Sequence, residues 1–547
     1  MGEWRNADQT TFDYIVIGAG SAGCVVASRL SEDPSKTVCL IEAGPSDQKL
    51  STAWKSRIPA GSAIFRNDKV CNWLFKYEPE SALGNRAIPC PRGRILGGSS
   101  TINGMIYMRG HRRDYDDWAA LGNTGWGYED VLPWFKRSEG FSGSADAYHG
   151  TSGELAVTKL RDYHPLADAM LEAATQCQYP INPDFNGAEQ DGFGHFAVTQ
   201  KNGERWSSAR AFLHPALNRP NLAVISEATC LGLTFENRRA AGVRLERNGE
   251  TIMLQAKREI ALCAGAIGSP HLLLASGIGP ATHLQTKGVN VVHDLKGVGQ
   301  NLQDHADNML VYADKSRTTH AATPRGYARL AVELVKYITA KRGVLASCLA
   351  ESGGFLRTRP GLPQPDVQYH FMPLILDRSR ILPPAHGFLL HATVLRPKSR
   401  GFVELVSSDP LQAPRLQANF LSDPDGEDLK SIMRGLRIGR QIIAAPAMNR
   451  YRGAELAPGA EVQSDADFEA FIRANVGTVF HPVGTCKMGV DDSAVVDPRL
   501  SVHGMEGLRV IDASIMPSIV SGNTNAPSIM IGERGADFMR AGARAAG

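Results

Sequence analysis

One short stretch constrains the fold more than any other: residues 12–23 read FDYIVIGAGSAG, an apolar run followed by three glycines in the spacing GxGxxG. The apolar run predicts a buried parallel strand, and the residues that follow, through Leu30, predict a helix packed on that strand. A second apolar run, TVCLIE, ends at Glu42, where this pattern calls for an acidic residue. Strand, glycine turn, helix and acidic residue in this order predict a dinucleotide-binding unit of the Rossmann type.

Each glycine of the turn has a separate role in this prediction. Gly18 permits a tight turn, Gly20 lets a diphosphate approach the backbone, and Gly23 lets the helix pack close to the strand. The diphosphate is expected on the free N–H groups at the helix N-terminus, where the helix dipole favours negative charge. Glu42 is expected to accept hydrogen bonds from a ribose diol. The motif holds an ADP group and does not distinguish a nicotinamide cofactor from a flavin.

The bulk properties of the chain exclude several classes of protein. Its 547 residues exceed the roughly 250–300 residues that one hydrophobic core serves, so two domains are expected. A net charge of +3 gives no electrostatic footprint for nucleic acid. Nine scattered cysteines without a CxxC pair predict reduced thiols rather than a zinc site, so we expect a cytoplasmic protein without a metal.

The sequence also bears on membranes. The N-terminal residues carry no signal-peptide core, and no run reaches the ~18 apolar residues of a membrane span. A peripheral contact with the inner face of the membrane is left open by this reasoning, and the oligomeric state is not predicted.

The rest of the chain divides by pattern. A second strand-to-glycine unit at 258–268 is expected in the same sheet as the first, and aromatic residues at helical spacing over 118–135 predict helices packed on a core. The middle of the chain changes to short runs rich in Val, Phe, Tyr and Thr, which predict an antiparallel sheet with a hairpin turning at 398–401. An amphipathic helix is expected over 425–444, and the last strand, GLRVIDAS, with a helix after Pro527, returns to the first domain.

Two further segments are rich in glycine. The segment GRILGGSSTINGMIY, at residues 93–107, can bring backbone N–H groups against a flat ring or a diphosphate, and GAIGSPHLLLASGIG, at 265–279, is a longer pattern of the same kind. Both agree with signatures of the glucose-methanol-choline family of FAD-dependent oxidoreductases. The order of motifs from residue 12 to Arg534 resembles that family over nearly the whole chain. The resemblance is greatest to bacterial choline-dehydrogenase-like members, including flavin-dependent dehydrogenases of aliphatic alcohols.

This resemblance implies a fold with α/β and α+β parts: a discontinuous Rossmann-like FAD-binding domain, and a substrate domain built on an antiparallel sheet flanked by helices. The FAD-binding domain is expected at 10–160, 201–310 and 476–547, the last segment carrying the catalytic residues. The substrate domain is expected at 161–200 and 311–475.

The resemblance also implies the site residues. The family's catalytic base falls on His481, in VFHPVGTCKMG, and its second polar catalytic group, a histidine or an asparagine, falls on Asn525, in SGNTNAPSIMIGER. Histidine suits a general base that takes the hydroxyl proton, and the amide of Asn525 can donate to the developing alkoxide. FAD is expected along residues from all three segments of its domain: Gly18, Gly20, Ser21, Ala22, Gly23, Glu42, Ala43, Arg94, Gly98, Ser99, Asn103, Gly104, Met105, Cys230, Ala264, Asp512, Ala513, Asn523 and Thr524.

The activity implied by the resemblance is oxidation of a primary alcohol, aliphatic or benzylic, to its aldehyde. His481 would take the proton, the hydride would pass to flavin N5, and a quinone-type acceptor would take the electrons. An oxidase of the same family that uses O2 and produces H2O2 is the first alternative, and a hydroxynitrile lyase that keeps FAD without net redox change is the second. A NAD-dependent dehydrogenase or a regulatory nucleotide-binding protein is a more distant one.

Two departures from the family pattern bear on cofactor and substrate. Choline oxidases bind FAD covalently through a histidine that falls on Ile102 here, so FAD is expected to be non-covalent. No acidic residue dedicated to a trimethylammonium group is identified, which argues against choline. The pocket walls are expected near Trp73, Phe371 and Val479, whose apolar character favours aliphatic or benzylic alcohols over sugars.

Overall fold

A computed structural model describes residues 9–375 and 385–545 of the chain. Residues 1–8, part of the stretch that carries no signal-peptide core, lie outside the described residues. So do 376–384, within the expected substrate domain, and 546–547, at the end of the last expected segment.

The strands follow one another along the chain as β1 (Thr11–Ile17), β2 (Val38–Ile41), β3 (Phe75–Glu80), β4 (Arg86–Cys90), β5 (Glu139–Phe141), β6 (Leu155–Val157), β7 (Gly192–His195), β8 (Gln200–Lys201), β9 (Glu204–Arg205), β10 (Leu222–Ile225), β11 (Thr229–Glu236), β12 (Arg239–Arg247), β13 (Glu250–Leu262), β14 (Ile278–Gly279), β15 (His293–Asp294), β16 (Ala306–Asp314), β17 (Ser352–Leu356), β18 (Val367–Met372), β19 (Gly387–Val394), β20 (Phe402–Glu404), β21 (Arg415–Gln417), β22 (Arg452–Ala457), β23 (Gly477–Thr478) and β24 (Leu508–Val510).

The α-helices are α1 (Ser21–Leu30), α2 (Leu50–Arg57), α3 (Ser62–Phe65), α4 (Arg112–Ala120), α5 (Tyr128–Ser138), α6 (Pro165–Gln176), α7 (His214–Ala216), α8 (Gly265–Ala275), α9 (Ala281–Thr286), α10 (Pro324–Ala340), α11 (Glu427–Ala444), α12 (Asp465–Asn475) and α13 (Asn525–Ala545).

The first sheet is the predicted Rossmann-like unit. Its strand order is β10-β2-β1-β13-β12-β11, with β24 paired to β13. β1 runs parallel to β2 and to β13, so that Tyr14 lies beside Val38 on one side and Glu259 on the other. Residues 14–17 are buried, as expected of an apolar strand in the middle of a parallel sheet. Its strands come from three separated stretches of chain, which makes this sheet discontinuous in sequence.

The second sheet is antiparallel throughout, with the order β22-β16-β19-β18-β17-β7 and β23 paired to β16. Helices α6 and α11 pack on one face of this sheet. Its strands come mainly from the stretches expected to form the substrate domain. However, β16 crosses the expected boundary at 310/311, and β23 lies just beyond the expected end at 475.

The hairpin predicted at 398–401 does not form. β19 belongs to the second sheet, whereas β20 pairs with β21 in a separate two-stranded sheet. The backbone N–H groups of Lys398 and Ser399 donate instead to the carboxylate of Asp428, at 2.9 and 3.0 Å. The turn is therefore held by the first turn of α11 rather than by a ladder between the two flanking strands.

The aromatic residues of the 118–135 segment pack into the core as predicted. They lie on and beside α4 and α5, and the side chains of Trp118 and Trp126 are fully buried.

An ion pair joins the first and last helices: Arg29 in α1 pairs with Glu533 in α13 at 2.7 Å, and Glu533 is fully buried. In the described ranges no helix is both long and apolar enough to cross a bilayer.

Candidate active site

A cavity of about 1600 Å³ is lined by residues from both sheets. It begins at the glycine turn between β1 and α1 and ends against β16, β18 and β19 of the second sheet. Of the residues expected to hold the cofactor or act on the substrate, Gly23 alone does not line it. Those that do are Gly18, Gly20, Ser21, Ala22, Glu42, Ala43, Arg94, Gly98, Ser99, Asn103, Gly104, Met105, Cys230, Ala264, His481, Asp512, Ala513, Asn523, Thr524 and Asn525.

The glycine turn has the geometry that a diphosphate site requires. Gly18 has φ +98°, and a Cβ there would lie 2.6 Å from the carbonyl oxygen of Cys263. A Cβ on Gly23 would lie 1.9 Å from the carbonyl oxygen of Gly18, so Gly23 serves helix packing rather than ligand contact. At Gly20, in contrast, a Cβ would meet only Cys263 O, at 3.9 Å, which leaves the cavity side of this backbone open to a ligand.

Glu42 lies at the end of β2 and is fixed by backbone donors. Its Oε2 accepts from the N–H of Ala19 and its Oε1 from the N–H of Gly44, both at 2.9 Å. Burial raises the pKa of Glu42 to about 7. The carboxylate is thus held at the cavity wall by the same turn that would receive a diphosphate, and its remaining lone pairs suit the hydroxyls of a ribose.

The loop formed by residues 93–105 closes over this turn. Gly98 has φ +52°, and a Cβ there would lie 2.7 Å from Cα of Gly20, so the two backbones touch. Asn103 is locked by two contacts, because its Oδ1 accepts from Nη1 of Arg205 at 2.9 Å and from the N–H of Met105 at 3.0 Å. Arg205 is fully buried, burial lowers its pKa to about 9, and the sequence reasoning missed it.

Several observations fit this half of the cavity to an anionic dinucleotide. Nε of Arg94 is buried without a hydrogen-bond partner, and its guanidinium lies 5.2 Å from the ring of Trp73. A Cβ on Gly104 or Gly265 would meet nothing within 4 Å, so these backbones also face open space. The N–H of Gly265 is donated to Asp512 at 2.8 Å, so the groups that remain for a diphosphate are the unpaired Nε of Arg94 and the glycine turn at the start of α1.

The other end of the cavity holds His481, whose side chain is 8% exposed. Its Nε2 lies 3.2 Å from Nδ2 of Asn523, and its Nδ1 lies 3.0 Å from Nδ1 of His305. The backbone N–H of His481 donates to Oδ1 of Asp304 at 2.7 Å. Burial lowers the pKa of His481 well below its ordinary value, and the positive charge of Arg92 lowers it further.

These contacts determine which nitrogen of His481 carries the proton. Nε2 of His305 lies 3.2 Å from the carbonyl oxygen of Leu395, which can only accept, so this nitrogen is the N–H of a neutral ring. Burial lowers the pKa of His305 to about 3, which keeps that ring neutral. Nδ1 of His305 therefore accepts, and Nδ1 of His481 donates to it. The lone pair of His481 is then on Nε2, facing Asn523.

Of the two asparagines in the SGNTNAPS segment, Asn523 rather than Asn525 contacts His481. Asn525 was expected beside the histidine, but its Oδ1 accepts from Oγ of Ser21 at 2.7 Å, on the glycine turn. Asn523 was expected only at the flavin, yet it is the asparagine in contact with His481. The physical reason is that Asn525 opens α13, and this helix packs on α1 beside the turn. Asn523 lies on the loop before that helix.

The second sheet supplies the far wall through alternating side chains. The wall was expected near Phe371, and its neighbours His370 and Met372 do line the cavity, while Phe371 itself is fully buried in the core. Because successive side chains of β18 point to opposite faces of the sheet, only every second residue of this strand can reach the cavity. Trp73 and Val479 do line it, as expected.

Asp307 and His391 form a further polar group on this wall. Oδ2 of Asp307 lies 2.6 Å from Nδ1 of His391, and its Oδ1 accepts from Oγ1 of Thr393 at 2.7 Å. His370 lies beside them, with its pKa lowered to about 4 by burial and its Nδ1 without a partner. Sequence reasoning missed these residues, although the period-2 pattern of β16, β18 and β19 was the signal that could have grouped them. Within the described residues no such cluster is arranged to hold a metal ion.

Comparisons with known proteins agree with this arrangement. Models of the GMC oxidoreductase family match residues 12–307 and 397–532. An alcohol dehydrogenase (acceptor) from Pseudomonas putida is 46% identical over 96% of this chain and 95% of its own length. An oxygen-dependent choline dehydrogenase from Paraburkholderia xenovorans (strain LB400) is 44% identical over 97% of this chain and 94% of its own.

A solved structure leads to the same family. Pyridoxine 4-oxidase from Mesorbium loti superimposes with a TM-score of 0.86 at 30% identity, covering 96% of this chain and 98% of that one. The expected α/β dinucleotide domain and antiparallel substrate sheet are thereby confirmed. The chain belongs to the GMC oxidoreductase family of FAD-binding enzymes.

Proposed function

We propose that this enzyme oxidises a primary alcohol to its aldehyde, with His481 as the general base. The observation that carries the proposal is the contact between His481 and Asn523, 3.2 Å apart at the buried end of the cavity, with the lone pair of the histidine fixed on Nε2. A hydride can leave a carbinol carbon only when the hydroxyl gives up its proton, so such a site needs a base at this place.

Each residue of the site has a defined task in this proposal. His481 takes the hydroxyl proton at Nε2, and the depressed pKa keeps that nitrogen unprotonated in the resting enzyme. Asn523 presents Nδ2 beside the base and can donate a hydrogen bond to the developing alkoxide. Its Oδ1 accepts from Nε2 of Gln368 at 3.4 Å, which orients the amide. When bound, FAD supplies the acceptor for the hydride.

The wall of the cavity favours an uncharged, apolar alcohol. Around the site the lining includes Ile102, Met309, Leu349, Met372 and Leu374. The one carboxylate in this part of the described lining is Asp307, and both of its oxygens are engaged, by His391 and by Thr393. A choline cation would have to compete with these partners. We therefore propose an aliphatic or benzylic substrate in preference to choline.

A quinone-type molecule is proposed as the electron acceptor. The Pseudomonas putida relative is named as an alcohol dehydrogenase that uses an acceptor, which supports this choice. Reoxidation by O2, with release of H2O2, is the rival, since the Mesorbium loti structure is that of an oxidase.

A cytoplasmic location is proposed for the enzyme. Its nine cysteines are all unpaired, which supports a reducing compartment.

Anaerobic flavin bleaching tests the reaction directly. A panel of a linear primary alcohol, benzyl alcohol, choline and glucose should show rapid loss of the yellow absorbance with the first two. Adding a quinone analogue or O2 in separate experiments, and measuring H2O2, separates dehydrogenase from oxidase. A flavin that no alcohol bleaches, in a protein that cleaves a cyanohydrin, would show the reaction to be a lyase.

The variant His481→Ala tests the assigned base. It should retain FAD while bleaching slows by about 10²–10⁴, the usual range for a general base. His293→Ala is the matched control, because His293 lies outside the cavity. Equal bleaching rates in the two variants would remove His481 from the mechanism.

A further inference from the structure

Helix α10 contributes almost nothing to the core of the protein. Of its 17 residues, 16 have described side chains, and among those only Gly326 and Tyr337 are buried. Helix α11 is of similar length, and nine of its 18 residues are buried. A helix in a globular protein usually buries its apolar stripe, so the apolar residues of α10 need another explanation.

Most of the exposed apolar residues of α10 share one face, and Val332, which is 56% exposed, lies at its edge. Those on the face recur at the spacing i, i+4, i+7, i+8 and i+11 of a helical stripe, and are Tyr327, Ala331, Leu334, Val335 and Ile338. Val335 and Ile338 are 60% and 65% exposed, which is unusual for large aliphatic side chains. This stripe, called the α10 face below, is a contiguous apolar surface of the kind that marks an interaction site.

Basic side chains border the α10 face on one side and at one end. At about 100° per residue, Lys336 and Arg329 come after Val332 around the helix, and Lys341 and Arg342 follow the last turn. The acidic groups near them are Glu333, which binds Lys336, Glu204, which pairs with Lys341, and Asp162, which pairs with Arg342. Arg329 donates only to backbone carbonyls, those of Arg317 and Thr318. The border is therefore cationic, with an excess of positive charge along the helix itself.

The α10 face is also continuous with the mouth of the cavity. Leu334 belongs to the face and lines the cavity, and Leu330, one turn earlier, lines it too. Trp54 and Leu411 also line the cavity and are 53% and 58% exposed. Exposed apolar side chains thus belong to the cavity lining as well as to the helix beside it.

We propose that the α10 face docks on the surface of an anionic phospholipid membrane, with the cavity mouth turned toward the lipid. An amphipathic helix with a basic border lies in the headgroup region with its apolar face buried among the acyl chains. The positive border of α10 complements anionic headgroups. An apolar alcohol or quinone dissolved in the bilayer could then enter the cavity without crossing water.

Sedimentation with vesicles tests this docking and does not depend on the proposed reaction. The FAD-loaded enzyme is mixed with vesicles of phosphatidylcholine, with or without phosphatidylglycerol. It should pellet with the anionic vesicles, less at high salt because surface charges are screened. The double variant V335D/I338D should bind about tenfold or more weakly, since the docking face loses two exposed aliphatic side chains and gains two negative charges.

The control variant V490D/M253D places the same charges on exposed apolar residues away from α10, and it should bind like the wild type. Flavin content and thermal melting show that both variants fold. A wild type that stays in solution with either vesicle, or a V335D/I338D variant that binds equally well, would overturn the proposal. So would sedimentation velocity showing a dimer that V335D/I338D dissociates, since the α10 face would then join two copies of the chain.

Discussion

Replacing His305 by leucine should weaken the base without touching the substrate. His305 is the acceptor for Nδ1–H of His481, and both rings are buried. Without that acceptor the N–H is left unsatisfied, which costs about 1–3 kcal/mol. The ring can avoid this cost by moving its proton to Nε2, but that nitrogen is then no longer a base. A penalty of about 1–3 kcal/mol on the active tautomer lowers kcat/KM by about 5- to 150-fold, less than loss of the base itself.

His305→Asn is the matched control, because its Oδ1 can take the place of the ring Nδ1 as acceptor. It should recover most of the activity that His305→Leu loses. The pH profile of kcat/KM gives a second readout. The neutral ring of His305 accepts from Nδ1–H of His481, and this hydrogen bond is stronger when His481 is protonated. Removing His305 should therefore lower the pKa of His481 and move the acid limb of the profile to lower pH.

A merely structural role for His305 predicts a different outcome. Both variants would then lose activity together, in proportion to their lowered melting temperatures, and neither profile would shift. An unchanged kcat/KM and an unchanged acid limb in His305→Leu would refute the assignment of the tautomer.

Five further outcomes are expected. In the wild type, burial depresses the pKa of the base, so the acid limb of kcat/KM should fall below the ordinary histidine value of about 6.5. Asn523→Ala should lower kcat by about 10²–10³ with FAD retained, as for loss of one donor to an oxyanion. Asn525→Ala should instead lower the flavin-to-protein ratio of the purified enzyme, because Asn525 bonds to the glycine turn. Gly98→Ala should also lose flavin on gel filtration, since its methyl group would lie 2.7 Å from that turn. Acid precipitation should release all flavin to the supernatant, because Ile102 offers no atom for a covalent bond; flavin left in the pellet would contradict this.

The parts of the structure that the sequence predicts well are those encoded by contiguous residues. Strand, turn and helix over 11–30 are one local unit, so composition and spacing suffice for them. The prediction of a hairpin at 398–401 was wrong because strand propensity does not determine which two strands pair. Asp428, some thirty residues further along the chain, decides the path of that turn.

The candidate site was harder to predict because its residues meet only in the folded protein. Asn523 and Asn525 are two positions apart in the chain. Their side chains make different contacts because Asn525 is the first residue of α13, whereas Asn523 lies on the loop before it. In β18, likewise, His370 faces the cavity and Phe371 faces the core, and a register shift of one residue would reverse these two directions. The role of His305 could not be predicted from the sequence, because it depends on a contact with His481, 176 positions away.

The last part of the described chain contributes one strand to each sheet, and each of these strands leads to one residue of the proposed catalytic pair. β23 joins the second sheet and is followed by His481, while β24 joins the first sheet and is followed by Asn523. A chain cut just before His481 would keep the glycine turn and most strands of both sheets but would lack the proposed base. We expect such a fragment to have no alcohol-oxidising activity.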